Sequence, residues 1–114
     1  MSIIEKYQFG KITINSFSYQ ADLIVFPGHV QYQWWRGKGH FLEISDLVSV
    51  INYKPDVLFI GTGMYGLMRV DDILLKELKE KGIKKILVGK TKKVCEEYNK
   101  EITIKKVAAL HLTC

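Results

Sequence analysis

The stretch Lys54–Val70, KPDVLFIGTGMYGLMRV, decides the fold of this chain. Its four consecutive apolar residues, Val57 to Ile60, are too few for a helix and too apolar for an exposed strand, which predicts a parallel strand covered on both faces. Three glycines and a loop follow. In open α/β sheets ligands bind beyond the carboxyl ends of strands, so we expect a pocket at the loop Gly61–Arg69.

Downstream of this strand the pattern alternates between helix and strand. Asp71 or Asp72 is expected to cap the first helix, and Gly82 to end it. Thr91 is expected to cap the second helix, and Asn99 to end it. The predicted elements are a helix Ile73–Lys81, a strand Lys85–Val88, a helix from Thr91 to Asn99 and a final strand Val107–Leu112. The alanine content of the last segment is also compatible with a helix, and the preceding Ile102-Thr103-Ile104 favours the strand.

Upstream, short β-branched and aromatic runs predict an antiparallel meander that extends from Tyr7 to Phe26 and includes Val30–Arg36 as its last strand. Ser45 then predicts a helix N-cap, and the helix must end near Tyr53 because a proline follows. Together these patterns predict an α/β fold, a compact single domain of residues 1–114 with a central mixed β-sheet flanked by helices and an N-terminal antiparallel β portion.

Composition is typical of a globular protein, with 47% hydrophobic and 25% charged residues. No apolar run approaches the ~20 residues that span a bilayer, so we expect a cytoplasmic protein without membrane contact. Cys95 and Cys114 do not suggest a disulfide framework, and each is expected to be a small buried apolar group. The net charge of +5 would attract an anionic partner, although interspersed Lys and Glu from Lys76 to Lys106 indicate ordinary solvated helix faces.

Gly61, Gly63 and Gly66 form the pattern G-x-G-x-x-G directly after a strand, as in dinucleotide-binding sites. Three features argue against a dinucleotide here. The next helix begins only near Asp71, two aspartates at its start would repel a phosphate, and no acid for a ribose follows the next strand. We therefore expect no cofactor, and interpret the glycines as a tight exit turn beside a pocket.

Aromatic and basic residues alternate between Tyr32 and His40, a composition that also occurs in proteins that bind single-stranded nucleic acid. Strand alternation would place Trp34 and Trp35 on opposite faces, so one of them is expected in the core. No recognised nucleic-acid module matches, and nucleic-acid binding is a second alternative only. An exposed Trp beside Arg36 is more typical of a surface that binds another protein.

Three histidines and a cysteine are conceivable groups for metal binding or catalysis: His29, His40, His111 and Cys114. Their spacing matches no standard zinc pattern, so no metal site is predicted. An enzyme acting on an anionic or phosphorylated small molecule, with His40 or His111 as acid or base, is the first alternative. Lys90, Lys92 and Lys93 surround the start of a predicted helix and form a weaker candidate site for an anion.

The sequence also resembles a small family of uncharacterised proteins that includes the adipogenesis-associated domain protein and, more distantly, a mitochondrial complex I assembly factor. The resemblance rests on Phe26-Pro27-Gly28, Trp35-Arg36, His40, Asp46-Leu47, Ile60 to Met64, Leu78 to Ile83, Glu97 to Asn99 and His111 to Cys114. It implies a central mixed sheet whose final strand is internal and antiparallel to its neighbours. It also implies a binding or assembly role rather than catalysis.

The leading hypothesis is therefore a non-catalytic module that binds a protein partner or a small anionic ligand, and the oligomeric state is left open. Its candidate ligand-binding residues are Trp35, Arg36, His40, Gly61, Thr62, Gly63 and Arg69. Arg36 and Arg69 are expected to hold an anionic group without contributing to stability, so that replacing either by alanine would change the melting temperature by only a few degrees.

Overall fold

The computed structural model describes all 114 residues as two sheets and three α-helices. In chain order the elements are β1 (Ile4–Gln8), β2 (Lys11–Ile14), β3 (Phe17–Tyr19), β4 (Leu23–Val25), β5 (Val30–Gln31), a 3-10 turn (Ile44–Leu47), α1 (Val48–Tyr53), β6 (Val57–Thr62), α2 (Asp72–Glu80), β7 (Lys85–Gly89), α3 (Thr91–Lys100) and β8 (Lys106–His111). The β-α-β-α-β order predicted from Val57 onward is confirmed.

The larger sheet has five strands in the order β5-β4-β8-β6-β7. The last strand of the chain, β8, lies at the centre of this sheet, as the family resemblance implied. It is antiparallel to β4 and parallel to β6, and β6 is parallel to β7. The predicted α/β fold with a central mixed sheet is therefore confirmed. The implied antiparallel pairing of the final strand is correct for β4 and wrong for β6, because β8 and β6 are joined through a helical crossover and run parallel.

Strands β1, β2 and β3 form a separate antiparallel sheet. Asn15 and Ser16 make the turn between β2 and β3 with φ angles of 48° and 73°, as predicted for a tight hairpin. The predicted single meander is wrong in extent, because β4 and β5 form a hairpin in the larger sheet. The strand ends at Gln31, since Gln33 adopts a left-handed φ of 59° that an extended strand does not allow.

Apolar side chains pack on both faces of the larger sheet, which explains why its inner strands β4, β6 and β8 are largely continuous apolar runs. On one face Ile60 and Ala109 pack with residues of α1 and α2. On the other, Phe59 and Leu110 pack with α3 and with the inner side of the smaller sheet. All six residues of β6 are buried, so the prediction of a doubly covered strand is confirmed.

The helix α2 begins and ends one residue earlier than the predicted Ile73–Lys81, and its predicted Asp71 cap and Gly82 stop are confirmed. The Leu74 amide donates to Asp71 Oδ1 at 2.9 Å, and Gly82 terminates the helix with a φ of 103°. None of the three helices has the length and apolar character needed to cross a membrane.

The predicted capping residues of the other two helices are wrong. A 3-10 turn precedes α1. Its cap is the reciprocal pair Glu43 and Asp46, in which each side chain accepts from the backbone amide of the other, and Ser45 is not the cap. The N-cap of α3 is Lys90, and the Thr91 hydroxyl is turned inside the protein. The end of α3 is one residue later than predicted, because the Asn99 side chain binds the backbone of β1 instead of closing the helix.

Candidate functional site

Three parallel strands, β6, β7 and β8, end at the same edge of the larger sheet, which we call the carboxyl edge. Because β4 runs against β8, the residue before β4 also lies at this edge. Asp22 therefore comes next to His111, the last residue of β8. The loop after β5 brings a third polar side chain, Arg36, to the same place.

Asp22, Arg36 and His111 form a charge cluster with little exposure to solvent. Asp22 Oδ2 lies 2.8 Å from Arg36 Nη1 and 2.7 Å from His111 Nδ1. The side chains of Arg36, His111 and Asp22 are 5%, 6% and 17% exposed. The second oxygen of Asp22 accepts the Leu112 amide at 2.7 Å. The cluster thus connects the start of β4 with the end of β8.

Two opposing effects act on the pKa of Asp22. Burial raises it, but the hydrogen bonds from His111, from the Leu112 amide and from Arg36 outweigh burial, so the pKa is lowered from its usual value. The carboxylate is therefore ionised at neutral pH. An ionised carboxylate only accepts, so His111 Nδ1 carries the proton that it donates to Asp22.

This hydrogen bond leaves His111 Nε2 as the second ring nitrogen, and Nε2 is buried without a hydrogen-bond partner. A carboxylate that orients an imidazole in this way is also found where histidine acts as a base. The exposed ring of His40 lies 5.6 Å from the His111 ring in an edge-on orientation. The structure therefore brings two of the predicted acid-base candidates together, with Nε2 closed to solvent.

Arg36, predicted to hold an anionic ligand, is held by protein groups instead. Besides Asp22 it contacts the Gly39 carbonyl at 3.0 Å, and its guanidinium lies 4.8 Å from the centroid of the Trp34 ring. Removing Arg36 would leave a shielded carboxylate with one fewer partner. The expectation that Arg36→Ala has little effect on stability is therefore replaced by a large expected loss.

The loop 63–71 lies along the carboxyl edge in a defined conformation. Backbone hydrogen bonds hold it from both sides, including Met68 N to Thr62 O at 3.1 Å and Arg69 N to His40 O at 2.8 Å. Met68 is buried, while Tyr65 and Leu67 are 61% and 52% exposed and Arg69 is also exposed. We call the outward-pointing residues Tyr65, Leu67 and Arg69 the loop face.

The glycines before this loop are explained by close packing rather than by a nucleotide. A Cβ on Gly61 would lie 2.8 Å from the Thr91 hydroxyl, at the start of α3. A Cβ on Gly63 would lie 2.4 Å from the backbone carbonyl carbon of Cys114, and Gly63 has a φ of 105°. The Thr91 hydroxyl joins these parts, since it accepts from Gly63 N at 2.8 Å and donates to His111 O at 2.6 Å.

The remaining predicted ligand residues lie apart from the loop face or already form hydrogen bonds within the protein. Trp35 is 80% exposed and lines an open groove with Val48 and Asn52, on the side of α1. Trp34 is buried, and its indole donates to Asp46 O at 2.8 Å, so the prediction that only one of the two is exposed is confirmed. The Thr62 hydroxyl donates to a backbone carbonyl of β7.

The three lysines predicted as a weaker anion site are exposed at the start of α3. Lys93 pairs with Glu97 at 3.5 Å, and the Thr91 amide already donates to Gly63 O at 3.1 Å. Lys90 lies over the loop, because a Cβ on Gly66 would touch its side chain at 3.4 Å. Lys90 is thus the member of this group that adjoins the loop face.

No three His, Cys, Asp or Glu side chains lie close enough to hold a metal ion. Both cysteines are free. Cys95 is buried, and burial raises the pKa of its thiol to about 12, so it is an inert apolar group as predicted. Cys114 is partly buried.

Sequence reasoning missed Asp22 and the loop face. A charged residue directly before the apolar run Leu23–Phe26 was the available signal for Asp22. Its partner could be identified only once β4 and β8 were known to be neighbours, because the two residues are 89 positions apart. Tyr65 and Leu67 were inside the predicted loop, but their exposure depends on which way each residue of the loop faces.

Several solved structures share this fold. A conserved hypothetical protein, PH1505, from Pyrococcus horikoshii OT3 is 24% identical, with a TM-score of 0.80 over 97% of this chain and 98% of that chain. An outer membrane protein from Bartonella henselae is 22% identical, with a TM-score of 0.81 over 99% and 96%. A Bordetella pertussis protein described as an Mth938-like domain is 17% identical, with a TM-score of 0.71 over 97% and 85%. At these identities the likeness establishes the fold alone.

No curated protein matches the chain significantly. One family model does, and it aligns with residues 4–112, which include every strand and helix described above. Its description is "Protein of unknown function (DUF498/DUF598)". The chain therefore belongs to the DUF498/DUF598 family.

Proposed function

We propose that the chain is a non-catalytic, cytoplasmic binding module, a single domain of residues 1–114, that recognises a protein partner through the loop face. The observation that carries this proposal is the alternation of exposed and buried side chains along the loop 63–71. Met68 anchors the loop in the core, and the flanking Leu67 and Arg69 point outward. A recognition surface held by backbone hydrogen bonds loses little conformational entropy on binding, which favours affinity.

The composition of the loop face is that of a protein interface. Tyr65 and Arg69 are residue types that contribute most to binding energy in such interfaces. The ring of Phe9, 48% exposed, lies 6.1 Å from the Tyr65 ring and extends the apolar surface onto the smaller sheet. Apolar side chains beside a cation support a protein partner more than a small polar metabolite.

The charge of the surface supports a partner with an anionic contact. Arg69 forms none of the three salt bridges of the structure, and Lys90 lies over Gly66 in the same loop. A carboxylate or phosphate of the partner would gain a bidentate contact with the Arg69 guanidinium. A small anionic ligand bound by the same two cations is the narrower form of this proposal.

The resemblance to the adipogenesis-associated domain protein and to a mitochondrial complex I assembly factor is part of the same proposal. A relationship to an assembly factor would favour a chain whose role is to hold another protein. The dinucleotide hypothesis has no support, since close packing accounts for Gly61 and Gly63.

A second candidate is an enzyme acting on an anionic small molecule, and one observation favours it. The Asp22–His111 pair leaves the buried Nε2 of His111 without a partner. Such a nitrogen could accept a proton if the loop 63–71 opened. In the structure it is shielded from solvent, so the binding role remains the better supported one.

The proposal is tested by photo-crosslinking from the loop face. A photoreactive phenylalanine at position 67 should give a discrete adduct in an extract of cells that express the protein. The matched control places the same residue at position 73, because Ile73 is 72% exposed on α2 and lies outside the loop. Adding Arg69→Glu to the position-67 protein should abolish the adduct, since it reverses the charge of the proposed contact.

Equal labelling from positions 67 and 73, or labelling that survives Arg69→Glu, would refute a partner on the loop face. The small-ligand form is tested by thermal shift with inorganic phosphate and a nucleotide panel. A ligand at 100 times its dissociation constant adds about 2.7 kcal/mol to the free energy of unfolding. That gain should disappear in Arg69→Ala.

A further inference from the structure

A cavity of about 650 Å³ lies at the opposite edge of the larger sheet from the loop face. It is formed where α3 ends and β8 begins, so the five residue steps of β8 place it about 17 Å from His111 at ~3.3 Å per residue. Its walls are mostly apolar and come from separate parts of the chain, including Ile3, Pro27, Tyr98, Ile102 and Ile104.

Two isoleucines at the wall of this cavity are almost fully exposed. Ile102 and Ile104 are 92% and 84% exposed, in the connection between α3 and β8. Ile3, on the facing N-terminal segment, is 50% exposed. Burying these exposed apolar side chains against an apolar ligand would be favourable, because it removes apolar surface from water.

The polar groups at the cavity carry mainly positive charge. Lys106 Nζ donates to Tyr98 O at 2.6 Å and to Glu101 O at 2.9 Å, which leaves one of its three N–H groups without an acceptor. Lys100 also lines the cavity and is exposed, and Glu101 is the one acidic residue in the lining. The hydroxyl of Tyr98 is buried with no hydrogen-bond partner, which is uncommon in folded proteins.

We propose that this cavity binds an amphiphilic small molecule with an apolar chain or ring system and a single anionic head group, of the kind represented by a medium-chain fatty acid. The apolar part lies against Ile102, Ile104 and Ile3, and the head group accepts from the remaining N–H of Lys106. The volume is within the ~300–1,000 Å³ typical of small-molecule sites, and the concave shape built from several segments favours such a ligand over a flat protein interface.

The first test measures binding of 8-anilino-1-naphthalenesulfonate, an apolar fluorophore with one sulfonate. We expect saturable binding of one molecule per chain, displaced by decanoate below its micelle concentration. Decyltrimethylammonium has the same chain length with a cationic head, and it should compete at least tenfold less well than decanoate. Equal competition by the two amphiphiles would refute the anionic head group, and absence of saturable binding would refute the site.

The second test locates the ligand. Ile104→Ser removes apolar surface from the wall without adding a charge, and should weaken fluorophore and decanoate binding at least fivefold. Ile73→Ser is the matched control, since Ile73 is 72% exposed but lies on α2, and it should leave binding within twofold. Both positions are exposed, so both variants should fold.

Two outcomes would overturn the proposal at this stage. One is equal weakening by Ile104→Ser and Ile73→Ser, which would mean non-specific adsorption. The other is concentration-dependent dimerisation that decanoate does not affect and that Ile104→Ser abolishes, which would mean that this surface is covered by a second copy of the chain. Neither outcome bears on the loop face, so this inference and the proposed function can fail independently.

Discussion

Replacing Arg36 by alanine is expected to destabilise the protein by about 3 kcal/mol, because removing one member of a shielded ion pair leaves its partner uncompensated. The usual range for such a loss is about 3–5 kcal/mol. The lower end applies here, since Asp22 is 17% exposed and keeps its hydrogen bonds from His111 and from the Leu112 amide. For a domain of about this size, the melting temperature should fall by roughly 12 °C.

The assay is urea and thermal unfolding at pH 7, followed by circular dichroism. Arg69→Ala is the matched control, because Arg69 is exposed and belongs to no salt bridge, and it should stay within about 2 °C of wild type. If Arg36→Ala also melted within about 2 °C of wild type, the ion pair of Arg36 with Asp22 would contribute nothing measurable to the free energy of unfolding. Arg36 would then again be a candidate for holding an anionic ligand.

Three further predictions concern the same edge of the sheet and its surroundings. Because the pKa of Asp22 is lowered in the folded state, its contribution is present above the unfolded-state pKa of about 3.9 and is lost as the pH falls through the lower folded value. The stability difference between wild type and Asp22→Asn should therefore be largest near pH 7 and shrink below about pH 4, and a constant difference in urea unfolding from about pH 7 to about pH 2.5 would contradict this. Gly63→Ala should lower the free energy of unfolding by more than ~3 kcal/mol, because Gly63 has a φ of 105° and its added Cβ would lie 2.4 Å from a backbone atom. Gly66→Ala should lower it by about 1 kcal/mol, because the nearest atom belongs to a flexible side chain at 3.4 Å. Equal losses in urea unfolding would argue against close packing of Gly63 on Cys114. In the same assay Trp34→Ala should lower the free energy of unfolding by about 3–5 kcal/mol and Trp35→Ala by under ~0.5 kcal/mol, because the side chains are 4% and 80% exposed. The reverse order would mean that Trp35, and not Trp34, lies in the core.

The strand ends that form the carboxyl edge were predicted from the sequence, and binding at that edge stays a prediction. Four apolar residues from Val57 to Ile60, followed by glycines, are a local signal, and the rule that ligands bind beyond strand ends needs no further knowledge of the fold. The roles of individual residues were harder to assign. Arg36 has the sequence context of a surface cation, and only its position relative to Asp22 shows that it is an ion-pair residue.

What the sequence by itself determined is the local structure that depends on neighbours in the chain. The parallel strand β6, the Asp71 cap and the Gly82 end of α2, and the turn at Asn15 follow from apolar runs, capping side chains and turn residues acting over a few positions. The tertiary structure alone decided which strands are neighbours, and therefore that β4 and β5 join the larger sheet and that Asp22 meets His111. The physical reason is the separation along the chain over which each interaction acts. Capping and periodicity act within one or two turns of chain, whereas a contact between residues 89 positions apart depends on the packing of every element between them.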